Sequence, residues 1–446
     1  MARAERKAGW AFGSAALGRR QLLSAGGLAG LASLGLGCET IGQAAVPELP
    51  IWAHRPGGAL SVVFRKQLTN KSKIDDLPYE RGKPGIDRDG LRVFVPSQDG
   101  GLYAVDARNG DIAWRFATLG PVQSEPVYDP EEDVVYFGSQ DGALYKIKAK
   151  DGALVYRFNS NAEVARRVVI DGGTVFFMNA NDTLVAIERK TGKLKFYQHR
   201  TPAYGIEIGG YAGVVVKSGR AITAFSDGAV MAYSTKDGAE QWPSVDLSAD
   251  AQAADGQPPQ YLDADTTPVI TRIGQTEAVL VAHYEGGVYG LETETGRILW
   301  RNDKIVGVNN LLLWSQPAHA GRTLPGGMIG PDAPARSILI ASSGRTGLWG
   351  VEPDTGRVIW QKRLPEGGIS APTPISGALM VSTTRYGIFL VEPTRGGVID
   401  GIEPGNEIAM TPAAYGQHAY VMTNGGELLG LVVHPPPGVD SKPRKG

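Results

Sequence analysis

Along most of the chain, short apolar or alternating runs are separated by polar turns that contain glycine. Residues 277–300, EAVLVAHYEGGVYGLETETGRILW, give the pattern in full. The apolar run 278–282 is followed by a turn at Glu285, Gly286 and Gly287, then by the alternating residues Val288, Tyr289, Gly290 and Leu291. A second turn, Glu294-Thr295-Gly296, leads into Ile298, Leu299 and Trp300. Short β-rich runs broken in this way predict consecutive hairpins. One such unit cannot bury its apolar face alone, so it requires neighbours of the same kind.

The chain supplies them. Residues 91–114, 133–156, 174–196, 221–242, 337–360 and 378–400 repeat the unit, and 419–433 gives half of it. The second-turn glycines are Gly110, Gly152, Gly192, Gly238, Gly296, Gly356 and Gly396, at spacings of 42, 40, 46, 58, 60 and 40. Four places after the glycine stand Trp114, Tyr156, Phe196, Trp242, Trp300 and Trp360, while the seventh unit has Asp400 there. A period near 40 residues built of short strands predicts a β-propeller with four antiparallel strands per blade. The glycine suits a tight turn at positive φ, and the ring is expected to fill the gap between adjacent blades.

The last unit is short by about one strand, and residues 59–68 form an early alternating run without a hairpin partner. Pairing the two predicts an all-β, eight-bladed propeller closed by an N-terminal strand in the last blade, which leaves no open array edge. Residues 71–88 read as an ordered loop leading into the first blade. The two long intervals carry insertions at 243–265 and 303–336. They flank the same blade and are expected on one side of the disc; residues 311–314 are either part of a functional loop or a displaced strand.

Composition adds the boundaries. The chain has 446 residues, 60 of them Gly, and a net charge of −1. Residues 1–37 hold five basic residues and one acid, which leaves 40 basic and 45 acidic residues beyond them, a net of −5. That is no nucleic-acid footprint. Residues 1–37 read as an export signal, with Arg19 and Arg20 before a glycine-rich apolar stretch too short to span a membrane. Cys38, the single cysteine, follows it. The stretch 34–38 resembles the site where bacterial lipoproteins are cleaved and diacylated, although Gly35 stands where an aliphatic residue is usual; the alternative is ordinary cleavage near Ala44 or Ala45. The twin arginines fit Tat or Sec export. Residues 38–58 then form a tether, 59–434 the propeller, and 435–446 a disordered tail.

Catalytic chemistry finds little support. The six histidines occur singly, without metal-ligand spacing. Asp87-Arg88-Asp89-Gly90 lacks the downstream acid of a calcium loop and reads as a solvated turn.

The repeated unit resembles that of quinoprotein (PQQ-type) propellers, over roughly residues 91–433. Quinoprotein dehydrogenases imply adjacent cysteines and a calcium site with a catalytic aspartate, and a lone cysteine cannot meet the first. No catalytic residue, cofactor or metal is therefore expected; a PQQ-dependent dehydrogenase is the alternative. A closer resemblance rests on Asp263-Ala264-Asp265-Thr266-Thr267-Pro268-Val269, followed by Glu285-Gly286-Gly287-Val288-Tyr289. This is similar to the BamB family of propeller lipoproteins, which serve β-barrel assembly in the outer membrane. The resemblance implies a non-enzymatic scaffold, lipid-anchored through Cys38 on the periplasmic face of the outer membrane, with a BamA-like partner or another periplasmic protein. It carries partner contact onto Asp263 and Asp265. The family's second contact loop, Leu-x-Leu-Arg-Gly, falls on 204–210, where Ile206 and Ile208 keep the apolar alternation but no arginine follows. The two acids are expected at the rim. Read from the residues alone, they also fit backbone capping of a turn.

Overall fold

A computed structural model describes residues 58–69, 80–203, 211–249, 260–318, 334–364, 368–385 and 387–434. The expected export signal, Cys38, the tether as far as residue 57, Ile206, Ile208 and the tail lie outside the described residues. The strands form eight four-stranded antiparallel sheets, each a blade. Seven blades run through four consecutive strands from axis to rim; the fifth, for example, uses Val269–Ile273, Thr276–His283, Gly287–Glu292 and Ile298–Asn302. The eighth takes Ala413–Tyr415, His418–Met422 and Glu427–Val433 from the C-terminal end and Leu60–Gln67 from the beginning. Leu60 pairs with Val433 and Gln67 with Glu427, so the closure expected from the missing strand is present.

The middle strands are apolar because neighbouring blades cover both their faces. Val134–Gly138 is buried at every position, whereas the outermost Leu154–Asn159 alternates half-buried and exposed. The core accordingly sits between blades: Ile222, Val230 and Trp242 of the fourth pack with Val279, Tyr289 and Leu291 of the fifth.

The turn glycine and the aromatic meet across that seam. A Cβ on Gly152 would lie 2.9 Å from Trp114 of the preceding blade, and one on Gly296 would lie 2.6 Å from Trp242. These glycines have φ of 72° and 75°, so both conformation and space exclude a side chain. Each indole also donates across the seam, Trp242 to the Thr293 carbonyl at 3.2 Å and Trp360 to the Pro393 carbonyl at 2.9 Å.

Phe64, from the closing strand, completes this ring of contacts. It follows a bulge and faces Gly430, as Trp300 follows a bulge and faces Gly290, and it covers Gly110 of the first blade. The aromatic of the eighth blade, the seventh in the ring, is therefore supplied by the closing strand. Asp400 holds the corresponding position in the seventh blade, where the next blade has a strand start instead of a turn. Its buried Oδ2 accepts the Leu60 amide at 2.9 Å.

Two expectations change. Within residues 71–88, Gly85–Ile86 is already the first strand of the first blade. The described ends of the two insertions lie on opposite faces of the disc. The first joins the outermost Val245–Asp246 to the innermost Val269–Ile273, on the face we call upper, which also carries the turns between second and third strands. The second joins Val308–Gln316 to Arg336–Ser343, a first-to-second-strand connection on the lower face. Residues 311–314 belong to that first strand.

Candidate functional site

The segment 260–268 enters the fifth blade across the upper face, and its backbone is held from three blades. Ala264 N donates to the Phe225 carbonyl at 3.4 Å, and the Asp263 carbonyl accepts Tyr284 N at 3.0 Å. Thr266 Oγ1 accepts Ala282 N at 3.0 Å, and Thr267 Oγ1 accepts Gly213 N at 3.0 Å. Arg166 of the third blade donates Nη2 to the Asp265 carbonyl at 3.2 Å. The Thr-Thr pair thus lets the chain cross between blades without losing backbone hydrogen bonds.

This placement alters the reading of the two acids. Asp263 is only 2% exposed and Asp265 is half-buried, so neither is the freely exposed rim carboxylate that was expected. A buried carboxylate shapes a surface more than it contacts a partner, because desolvation makes it dependent on its own neighbours. Whether Ile206 and Ile208 lie beside these acids falls outside the described residues.

Beside the segment lies a half-buried tyrosine pair with the exposed Arg345 next to it. Tyr261 and Tyr284 meet edge-to-face with centroids 5.5 Å apart, and the Arg345 guanidinium lies 6.0 Å from the Tyr284 centroid. Glu285 Oε2 accepts Gln260 N at 2.7 Å and so fixes the approach of Tyr261. Sequence reading passed over this cluster because its members come from two turns and an insertion; tyrosine flanking the Asp-x-Asp segment was the available signal.

His283 lies beneath the cluster, fully buried. Its Nδ1 accepts Glu285 N at 3.2 Å and Gly286 N at 2.8 Å, and burial pushes its pKa down to about 4. Ser97, Ser139 and Ser343 accept the corresponding turn amides in their blades, each at 3.2 Å. The imidazole is therefore a neutral turn acceptor. Among the described residues, no three His, Cys, Asp or Glu side chains gather as metal ligands do.

Comparison with known proteins places this geometry in a family. Residues 98–316 and 310–434 match the family described as outer membrane protein assembly factor BamB. The protein of that name from Yersinia pestis is 24% identical over 267 residues, 59% of this chain and 52% of its own length. That from Moranella endobia is 23% identical over 315 residues, 64% of this chain and 67% of its own length. The match thus spans about half of the Yersinia pestis relative. Among solved structures, BamB from Moraxella catarrhalis superposes with a TM-score of 0.63 at 16% identity, over 84% of this chain and 99% of that one. Quinohemoprotein alcohol dehydrogenase from Comamonas testosteroni gives 0.59 at 12% identity, over 87% and 78%. Likeness at such identity shows the fold alone, and the fold is shared by different activities. The sequence match extends over most of the propeller, and the chain belongs to the family of the outer membrane protein assembly factor BamB.

Proposed function

We propose that this chain is a non-enzymatic scaffold in the assembly of β-barrel proteins at the outer membrane, working by protein contacts on the periplasmic side. The observation that carries the reading is the family match over 98–434, which includes the upper-face segment holding Asp263 and Asp265. The partner is a BamA-like assembly protein. It docks over segment 260–268, with Tyr261, Tyr284 and Arg345 in contact and the two acids setting the shape beneath. Tyrosine and arginine are the residue types that most often dominate binding energy at interfaces. Ile206 and Ile208 extend the same contact in this reading. A lipid on Cys38 holds the chain at the membrane, and a single acyl chain would be too weak an anchor without a second.

The test is capture of the tagged full chain from detergent-solubilised envelope, with mass spectrometry of what accompanies it. Recovery of barrel-assembly subunits supports the scaffold. A quinone absorbance in the purified protein supports the dehydrogenase reading, which the shared fold with quinohemoproteins keeps in view. Fatty-acid labelling that marks wild type and Cys38→Ala equally would remove the anchor from the proposal.

A further inference from the structure

The upper mouth of the central channel is a concave basic site. Arg81, Lys83, Arg166 and Arg167 line one cavity of about 630 Å³ together with Glu125 and Glu163. That volume falls within the range of small-molecule sites. Four cations face two carboxylates, a local surplus of two positive charges on a chain whose net charge is −1.

The pairing inside the cavity is incomplete. Lys83 Nζ and Arg167 Nη1 both reach the same oxygen of Glu125, at 3.4 and 3.8 Å. Arg166 is oriented by neutral groups: its Nε donates to the Tyr211 carbonyl, its Nη2 donates to the Asp265 carbonyl at 3.2 Å, and its guanidinium lies 6.0 Å from the Tyr211 ring centroid. Carbonyls fix the guanidinium plane without neutralising its charge. A guanidinium held in this way is pre-organised for an oxyanion, which it binds through charge-assisted hydrogen bonds. The surplus of positive charge in a concave site strengthens that attraction.

We propose that this mouth binds a small oxyanion carrying two or more negative charges, a polycarboxylate or a phosphate. Arg166 is the fixed donor, and Arg81, Lys83 and Arg167 supply the surrounding charge. The site is separate from the Tyr261–Tyr284–Arg345 surface, although the Asp265 carbonyl borders both.

The experiment is calorimetric titration of the full chain with citrate and with pyrophosphate, using acetate as the singly charged control. One-to-one binding of either probe is expected, weakened at higher ionic strength and about tenfold or more by Arg81→Gln/Arg167→Gln. Those two side chains are exposed, so the variant should melt with the wild type, and it carries the test even if Arg166→Gln disturbs the fold. Citrate without pyrophosphate assigns the site to carboxylates, and the converse assigns it to phosphates. Heats no larger than those of acetate for both probes, or affinity unchanged in Arg81→Gln/Arg167→Gln, would overturn the proposal.

Discussion

The amide of Leu60 donates to Oδ2 of Asp400 at 2.9 Å, and both residues are buried although 340 positions separate them. The seven other blades place a ring at the Asp400 position and cover a turn glycine of the next blade with it. The eighth blade has no such turn, because its outermost strand is the start of the described chain. A carboxylate there satisfies the first amide of that strand, which a ring would leave unpaired. Asp400→Ala is expected to cost about 1.5–3 kcal/mol, the range for a hydrogen bond to a charged group. Asp400→Asn should recover part of that loss, since its carbonyl oxygen can still accept. Urea unfolding measures both, and an Asp400→Ala midpoint equal to wild type would contradict the pairing.

Phe64 closes the ring from the other side of the same strand. It is half-buried, lying over Gly110 and 6.4 Å from the Tyr420 ring centroid. Phe64→Ala should destabilise by about 2 kcal/mol, below the range for fully buried phenylalanine. Removal of residues up to Leu68 should do more, because it exposes the edge of Glu427–Val433. Deletion of residues 39–49 should be tolerated. Equal melting temperatures for the two truncations would count against closure by this strand.

His283 gives the propeller a defined acid sensitivity. Its folded pKa is about 4, below the ordinary histidine value near 6.5. The unfolded chain therefore binds the proton first as pH falls. Stability from this group is complete above about pH 6.5 and is lost progressively toward pH 4, by up to roughly 3 kcal/mol. His283→Asn keeps a turn acceptor without the titration, so it should flatten the pH dependence across that window. Unfolding curves at pH 7 and pH 4.5 test it, and an identical drop in both proteins would refute the assignment.

The burial of Asp263 predicts a stability effect where a rim carboxylate would have none. Asp263→Ala should lower stability by about 1–3 kcal/mol, and Asp265→Ala by less because it is half-buried. On the proposed docking surface, Tyr284→Ala should weaken partner capture per folded molecule more than Asp265→Ala does. Differential scanning calorimetry and capture on the same preparations separate the effects. Unchanged melting of Asp263→Ala would restore the exposed-acid reading.

Much of the fold was legible because its determinants are local. The turn glycine and its ring stand four residues apart, and the missing strand of the last unit had one unpaired candidate. Phe64 was harder to read: no turn glycine precedes it, and the glycine it covers belongs to another blade. Asp400 looked like a lost aromatic because its partner is a backbone amide far away in sequence. The insertions were expected on one side because both flank the fifth blade. In antiparallel blades successive connections alternate faces, so strand parity decides the matter and places them apart. The Asp-x-Asp segment reads alike whether its carboxylates are exposed or buried; backbone hydrogen bonds with Phe225 and Tyr284 set its path, and neither is a neighbour in sequence.

We propose that the propeller is a scaffold for outer-membrane β-barrel assembly. Quantitative mass spectrometry of proteins captured with the full chain from detergent-solubilised envelope tests it most directly, against a Tyr261→Ala/Tyr284→Ala control. A scaffold should enrich barrel-assembly subunits near one-to-one with the wild type and show clear depletion with the variant. Capture that enriches no barrel-assembly subunit, from a preparation in which the chain is folded, would contradict it.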